Sequence, residues 1–196
     1  MLEGIKVLSF THYLQGPSAA QALADLGADV VKIEACKGAY ERGWSGCNTY
    51  KNGVSVFYLM ANRNQRDLAI DLKSEEGRET IYTLIRDKGY DVIIENFRPG
   101  VMDKLGLGYE KLKEINPRVV YCSCTGYGSA GPKAKKPGQD LLLQGMSGLA
   151  ALTGPSDHPP MPAGTALVDQ HGAILAALGI VSAVYDRDRT GIGHKV

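Results

Sequence analysis

The chain has 196 residues, of which 44% are hydrophobic, so it can bury a core the size of one domain. Its 22 lysine and arginine residues balance 21 aspartate and glutamate residues, which argues against a protein that coats nucleic acid or binds membranes through a basic patch. No apolar stretch is long enough for a membrane span, and the apolar run after Met1 is too short for a signal peptide.

The N-terminal segment predicts a parallel βαβ unit. Residues 5–10 form a strand pattern, residues 11–17 a loop, residues 18–26 a helix closed by Gly27, and residues 29–33 a second strand. Gln15 and Gly16 come after the first strand and before the helix. This position is typical of a helix start with Pro17 and Ser18, and it is also where a ligand would meet the carboxyl end of a strand.

Residues 35–66 show no clear period apart from an apolar patch at 54–60, and they are rich in Gly, Asn, Tyr and Arg. A long irregular segment in a compact domain is usually functional or mobile. Regular patterns return with a strand at 68–72 and a helix through about residue 88, which Ser74 is expected to cap.

A strand over residues 91–94 runs directly into the polar segment Glu95-Asn96-Phe97-Arg98-Pro99-Gly100. In open α/β sheets, ligands bind where strands end. Asn96 can hydrogen-bond a ligand, Phe97 can stack on a ring and Arg98 can meet a phosphate. The alternative is an ordinary exit from a strand, broken by Pro99 and Gly100.

The following segment contains a misleading glycine pattern. A Gly-rich turn at 104–109, a short helix at 110–115 and a strand at 119–125 lead to Gly126-Tyr127-Gly128-Ser129-Ala130-Gly131, which fits GxGxxG. A dinucleotide site needs a helix to open over the pyrophosphate, and here Pro132 and a lysine-rich loop to residue 138 follow instead, so we reject that interpretation. The lysines of this loop either hold phosphates or are simply solvated.

Two helices are predicted in the C-terminal part of the chain, at 140–149 and 169–186. The segment 153–164 between them is rich in Pro, Gly and Ser, and the tail from residue 188 has no element of its own.

Asp169 is the candidate nucleophile. At the start of the long helix, Asp169 is either an N-cap or a carboxylate nucleophile. A carboxylate that attacks an acyl thioester forms a mixed anhydride, which keeps the acyl group activated without a nucleotide.

The cysteines suggest a cytoplasmic protein without a metal site. Cys36, Cys47, Cys122 and Cys124 include no CxxC pair, and no histidine cluster accompanies them. Cys122 and Cys124 are two residues apart on a predicted strand and should share a face. We interpret all of them as reduced cytosolic thiols.

Taken together, these segments resemble the N-terminal half of the class III CoA-transferases, the family of formyl-CoA, carnitine and bile-acid CoA-transferases. The resemblance covers essentially the whole chain. It depends on Gln15-Gly16-Pro17, residues 27–34, Asn62-Arg63 before residues 68–73, residues 95–100, Gly126-Tyr127-Gly128, Asp169 and residues 187–191. It implies an α/β fold, with a Rossmann-like, open, mostly parallel sheet and flanking helices. Residues 1–196 would then be the N-terminal part of the large CoA-binding catalytic domain.

The resemblance also implies the roles of individual residues. Asp169 would be the nucleophile, passing through an aspartyl acyl anhydride and an aspartyl-CoA thioester. CoA, as substrate and product, would lie along Gln15, Gly16, Lys37, Leu72, Lys73, Asn96, Phe97, Arg98, Lys104 and Lys136. The partners would be an acyl-CoA and a carboxylic acid, with no nucleic acid, membrane or metal.

The chain departs from the family pattern in three ways. Ala35 and Cys36 follow Glu34 where some members have an arginine, so Lys37 would take that phosphate contact. Lys104 replaces an arginine found in some members and would act as a point charge. Family members are about twice as long, with a small second domain, a glycine-rich loop over the aspartate, and two subunits interlocked like rings. We therefore expect a truncated large domain that exposes apolar surface and is inactive alone.

Two other functions stay open. A 2-methylacyl-CoA racemase of the same family needs two bases that flank the α-carbon. Related racemases carry a histidine in the loop before Asp140, where this chain has Gln139, and His171 should point away from Asp169 along the helix. The remaining alternative is a non-catalytic fragment that binds CoA without a covalent adduct. Tyr13, Tyr40, Trp44 and Tyr50 either shape an acyl pocket or pack in the fold.

Overall fold

The central feature is a parallel sheet. The computed structural model describes residues 1–46 and 48–196, so the prediction of a free thiol at Cys47 lies outside the described residues. The described residues form the strands β1 (Lys6–Phe10), β2 (Asp29–Glu34), β3 (Tyr50–Lys51), β4 (Val54–Ser55), β5 (Arg66–Ala69), β6 (Val92–Glu95) and β7 (Val120–Ser123). β3 and β4 pair as a small antiparallel hairpin, and the others form one sheet in the order β5-β2-β1-β6-β7 with parallel neighbours. This confirms the predicted α/β class.

Helices cover both faces of the sheet. They are α1 (Gln15–Asp25), α2 (Val56–Ala61), α3 (Glu75–Asp87), α4 (Val101–Lys104), α5 (Tyr109–Ile115), α6 (Asp140–Met146) and α7 (Leu167–Thr190). Successive strand residues point to opposite faces. Val7 therefore packs in the core with α1 and α7, whereas Leu8 packs in a second core with α3, α4 and α5. As predicted, Ser74 caps α3, because its Oγ accepts the amide of Gly77 at 2.9 Å.

The long helix α7 has two different faces. Its buried face carries mostly small side chains that pack close to α1: Ala173, Ala176, Ile180, Ala183 and Val184. The opposite face leaves large apolar side chains exposed: Ile174, Leu175, Leu178 and Tyr185. By length and composition alone, α7 would be able to cross a membrane. The prediction that no apolar stretch reaches that length was therefore wrong.

Two elements begin earlier than predicted. α1 begins at Gln15 rather than residue 18. Pro17 fits in its first turn because the amides there have no hydrogen-bond acceptor within the helix, so the missing N–H of proline costs nothing. β5 begins at Arg66 rather than residue 68. As an edge strand it accommodates Arg66, whose guanidinium bonds Asp29 at 2.5 Å and the Tyr90 hydroxyl at 2.8 Å.

Two segments are more regular than predicted. Residues 35–66 contain a 3-10 turn (Tyr40–Arg42), the β3–β4 hairpin and α2, which Ser55 caps by accepting the amide of Tyr58. α7 continues to Thr190, and the tail after it runs beside β7. There the amide of Tyr121 donates to the carbonyl of His194, and the amide of Val196 donates to the carbonyl of Tyr121, both at 2.8 Å. Both segments were missed because their elements are too short or too polar to show a hydrophobic period in the sequence.

The described cysteines are free. Cys122 and Cys124 are buried on one face of β7 and its extension, with their sulfur atoms 3.8 Å apart, which confirms that they share a face. Cys36 is exposed after β2. Across residues 1–46 and 48–196, no group of three potential metal ligands is present.

Candidate active site

The candidate site lies where the strand order reverses. From β1 the chain builds β2 and β5 on one side and β6 and β7 on the other, and such a reversal opens a crevice at the carboxyl ends of the strands. The Asn96 side chain joins the two loops that border this crevice. Its Oδ1 accepts the amide of His12 and its Nδ2 donates to the carbonyl of His12, both at 2.8 Å. Asn96, predicted to bind a ligand, thus uses its amide group to hold the crevice together.

A cavity of about 630 Å³ occupies the crevice. Among the predicted site residues it is lined by Gln15, Asn96, Phe97, Arg98, Lys136 and Asp169. These residues come from the start of α1, the loop after β6, the lysine-rich loop after β7 and the start of α7. The structure therefore brings together residues that are up to 154 positions apart, from Gln15 to Asp169.

The other predicted site residues lie outside the cavity lining. Lys37 follows β2, and Leu72 and Lys73 follow β5, so they lie at the same edge of the sheet but on its far strands. Lys104 ends α4, and Leu72 packs partly buried against the core beneath α3. Their roles stay predictions, since a ligand would have to extend from the cavity along this edge to meet them.

Gly16 has a packing role that its sequence context did not reveal. It is buried in the first turn of α1 and does not line the cavity. A Cβ at this position would lie 2.6 Å from the side chain of Thr11 and 3.1 Å from that of Asn96. The absence of a side chain therefore lets α1 descend onto both loops that border the crevice.

Aromatic side chains form one wall of the cavity. Tyr13, Tyr40 and Trp44 line it, as one alternative predicted, and Phe57 joins them. Trp44 and Phe57 meet edge to face, with ring centroids 5.2 Å apart. Tyr50 does not line the cavity, and its hydroxyl donates to the carbonyl of Gly43. Residue Tyr13 has a φ of 61°, a rare conformation for a side chain of this size and one that is common at functional sites.

Asp169 is not the cap of its own helix. The carboxylate of Asp140 accepts the amides of Val168 at 2.7 Å and Asp169 at 3.0 Å, so a side chain from α6 caps α7. Gln144 in turn donates to Asp140 and accepts the amide of Ala163 at 2.7 Å, which fixes the segment before α7. The N-cap alternative for Asp169 was therefore wrong, and its carboxylate is left facing the cavity.

Burial is the main reason that the pKa of Asp169 rises to about 6, and the charge of nearby Asp140 adds to the increase. A carboxyl group with this pKa is still largely ionised at pH 7. Its charged form is less stabilised than that of an ordinary aspartate. Such a shift in a cavity is typical of reactive carboxylates.

Sequence reasoning missed a histidine–glutamate pair on the cavity wall. His12 Nδ1 lies 3.4 Å from Glu41 Oε1, which also accepts the amide of Tyr13. Burial disfavours the Glu41 carboxylate, but the hydrogen bonds from His12 and Tyr13 outweigh it and lower the pKa of Glu41 to about 2. The position of His12 directly after β1 was an available signal, whereas Glu41 lies in the segment without a period.

Two glycines close the neck of the lysine-rich loop. Gly126 and Gly138 begin and end this loop, and a Cβ on Gly126 would lie 2.7 Å from the Cα of Gly138. The loop between them contains no strand or α-helix. This confirms that the literal GxGxxG pattern does not open a helix, and it places Lys136 on the cavity wall.

Comparison with known proteins supplies the family. The sequence profile described as CoA-transferase family III matches residues 2–196. The chain belongs to this family. The resemblance seen in the sequence is thereby confirmed.

Relatives of this family III chain carry transferase names. It is 42% identical to a formyl-CoA:oxalate CoA-transferase of Streptomyces coelicolor, matching 100% of the chain and 46% of that protein. It is 39% identical to a succinate–glutarate CoA-transferase of Agrobacterium fabrum, matching 100% of the chain and 50% of that protein. A crystal structure of a CaiB/BaiF family protein from Brucella suis superposes with a TM-score of 0.93 at 41% identity, over 100% of the chain and 52% of that protein. The chain thus spans about half the length of the proteins it matches.

Proposed function

We propose that the protein containing this chain transfers CoA from an acyl-CoA donor to a carboxylic acid, with Asp169 as the nucleophile. The observation that carries the proposal is the Asp169 carboxylate, which faces the cavity while Asp140 caps its helix. Relatives named as CoA-transferases support the same reaction type. Because relatives of similar identity are named for different acids, the likeness does not select the acid.

In the first half of the proposed cycle, the acyl group and then CoA pass to Asp169. An oxygen of the ionised carboxylate attacks the thioester carbonyl, the carbon–sulfur bond breaks, and CoA leaves as a thiolate. This forms a mixed anhydride. The thiolate then attacks the aspartyl carbonyl, the donor acid leaves as a carboxylate, and CoA remains on Asp169 as a thioester.

In the second half, the acceptor carboxylate attacks the aspartyl thioester carbonyl and releases the thiolate, which forms a second anhydride. The thiolate then attacks the acyl carbon of the acceptor and frees the Asp169 carboxylate. No net proton and no nucleotide are needed. A carboxylate with a pKa of about 6 is largely ionised at pH 7 and more nucleophilic than an ordinary aspartate, which suits its attack on the donor thioester.

For CoA we propose a path from the cavity along the carboxyl edge of the sheet. Arg98 and Lys136 on the cavity wall are exposed cations, and Lys37, Lys73 and Lys104 continue outward as candidates for phosphate contacts. Phe97 offers a flat apolar contact. Gln15, Gly16, Leu72 and Asn96 complete the predicted set, with the packing roles of Gly16 and Asn96 described above.

We further propose that other parts of the complete protein cover the exposed apolar face of this chain. Leu141 on α6 and Ile174, Leu175 and Leu178 on α7 are each exposed by 53% or more. An apolar surface of this extent is usually buried by an interface. The half of the relatives' length that this chain does not match, and a second subunit interlocked with the first, are the proposed covers. The proposal describes a cytoplasmic homodimer that needs no metal.

Racemisation of a 2-methylacyl-CoA is the second candidate, and one observation favours it. His12 lines the same cavity as Asp169, so the cavity holds two groups able to exchange a proton. Gln139, which stands where related racemases carry a histidine, also lines the cavity but cannot act as a base.

The deciding experiment is mass spectrometry of the complete protein after it has been mixed with a panel of acyl-CoA compounds. An acyl or CoA adduct on the Asp169 peptide, lost in Asp169→Ala, supports transfer. Absence of an adduct together with exchange of the α-proton in heavy water contradicts transfer and supports racemisation. Binding of CoA with neither adduct nor exchange indicates a non-catalytic binding protein.

A further inference from the structure

His12 is fixed in place from three directions. Its backbone amide and carbonyl are both bonded to the Asn96 side chain at 2.8 Å. Its ring meets Phe97 edge on, with centroids 5.1 Å apart, and its Nδ1 faces Glu41 at 3.4 Å. The His12 side chain is 32% exposed and lines the cavity, so Nε2 is the ring nitrogen that a ligand can reach.

Glu41 is a buried anion with unused capacity. Its side chain is only 3% exposed, and its Oε2 has no hydrogen-bond partner among the described residues. Since its carboxyl group is ionised at neutral pH, Oε1 is placed to accept a proton from Nδ1 of His12, 3.4 Å away. A carboxylate on one ring nitrogen fixes the tautomer and orientation of the imidazole. This is the arrangement in which a histidine presents its other nitrogen to a substrate.

The charges around the cavity indicate which substrate group His12 would meet. Asp169, Asp140 and Glu41 place carboxylates on the cavity wall, whereas Arg98 and Lys136 are exposed and are assigned above to CoA. Lys32 is buried behind the wall with its ammonium on the carbonyl of Thr11 at 2.9 Å, and it does not line the cavity. A second carboxylate that enters this cavity beside Asp169 needs a hydrogen-bond donor, and His12 lines the same cavity with a buried carboxylate behind its ring.

We propose that Nε2 of His12 binds the carboxylate of the acid that accepts CoA, and that Glu41 is the positioning residue that orients it. In the imidazolium form, Nδ1–H donates to Glu41 and Nε2–H donates to the acid, while the Glu41 carboxylate balances the imidazolium charge. The attack of Asp169 on the neutral donor thioester brings no free carboxylate to this subsite, whereas the donor acid, once released, leaves through it. The inference rests on the proposed transferase function and assigns the acceptor subsite within it.

The test separates the two half-reactions in the complete protein. Wild type, His12→Gln and Glu41→Gln are first mixed with an acyl-CoA that forms the Asp169 adduct, and the adduct is followed by mass. The acceptor acid is then added over a range of concentrations, and the new acyl-CoA is measured. His171→Gln is the matched control, because His171 is exposed on α7 and does not line the cavity.

We expect His12→Gln to form the acyl anhydride on Asp169 at nearly the wild-type rate but to lose about 10- to 100-fold in kcat/KM for the acceptor, the loss typical of a hydrogen bond to a charged group. Glu41→Gln should show a smaller loss, and the double variant should lose little beyond His12→Gln. Adduct formation also shows that the variant is folded.

Three results would overturn the assignment. The first is acceptor dependence in His12→Gln equal to that in His171→Gln. The second is an equal loss in the formation of the acyl anhydride on Asp169 and in turnover with the acceptor, which indicates a general structural role. The third is the absence of an adduct in wild type with every donor, which removes the transferase proposal itself and is told apart because it affects the unmutated protein.

Discussion

Replacing the proposed nucleophile should stabilise the protein, and by an amount that depends on pH. The pKa of Asp169 is raised from 3.8 to about 6, so the folded state holds this proton more tightly than the unfolded chain. A raised pKa contributes stability that is present below pH 3.8 and is lost as the pH rises through about 6. Asp169→Asn cannot lose that proton and should therefore be more stable than wild type at neutral pH.

The expected size follows from the shift. About two pKa units correspond to roughly 3 kcal/mol as an upper limit. Asp169 keeps part of its contact with solvent, which screens the charge, so we expect about 1–2 kcal/mol. For a domain of this size, that is a rise of about 2–8 °C in the melting temperature.

Thermal melts of wild type and Asp169→Asn between pH 4 and pH 8 test this reasoning. The variant should melt higher at pH 7 and pH 8, and the difference should shrink below pH 6 and vanish near pH 4. Asp157→Asn serves as the control, since Asp157 is exposed in the loop before α7. A difference between Asp169→Asn and wild type that is the same at every pH, or no difference at all, would refute the claim that Asp169 is buried beside Asp140.

Three further predictions concern stability and are checked by chemical denaturation of the complete protein. Asp140→Ala should lower the free energy of unfolding by about 1–2 kcal/mol, because two amides of α7 and the side-chain amide of Gln144 lose their acceptor. Asp140→Asn should lose less, and equal losses in the two variants would contradict the capping role. Gly138→Ala should lower the free energy of unfolding by about 1–3 kcal/mol, because the new Cβ would meet the backbone of Gly126. Gly164→Ala should change it little, since a Cβ there meets no atom within 4 Å, and similar effects of the two variants would contradict the contact between Gly126 and Gly138. Arg187→Ala should lose about 3 kcal/mol, since it leaves Asp91 half-buried without its partner at 2.9 Å, and a loss below 1 kcal/mol would contradict that pairing.

The sheet could be predicted from the sequence because its strands are apolar on both faces. Residues such as Val92, Ile93 and Ile94 are all fully buried, so the pattern is a continuous apolar run that a parallel sheet between helices requires. The edge strand β5 and the hairpin after Trp44 lack that pattern, and there the prediction was wrong or absent. β5 instead makes polar pairs such as Arg66 with Asp29, which leave no period in the sequence.

The site was predicted only as far as the carboxyl ends of strands reveal it. That rule brought Asn96, Phe97 and Arg98 to the cavity, but it could not show that the amide of Asn96 serves His12. Asp169 was found at a helix start, and the competing N-cap role was excluded only when Asp140 proved to cap that helix. Because Asp140 and Asp169 are 29 positions apart, the contact depends on tertiary packing, and no local pattern records it.

The glycine neck has a consequence for how the family can vary. Because the backbone at Gly126 meets that at Gly138 directly, the two ends of the lysine-rich loop are fixed whatever lies between them. Lengthening a loop with fixed ends changes its closure entropy only slowly. Insertions within this loop should therefore destabilise the fold far less than any side chain at the neck. Homologues can thus diversify this part of the cavity wall without disturbing Asp169 or the sheet that supports it.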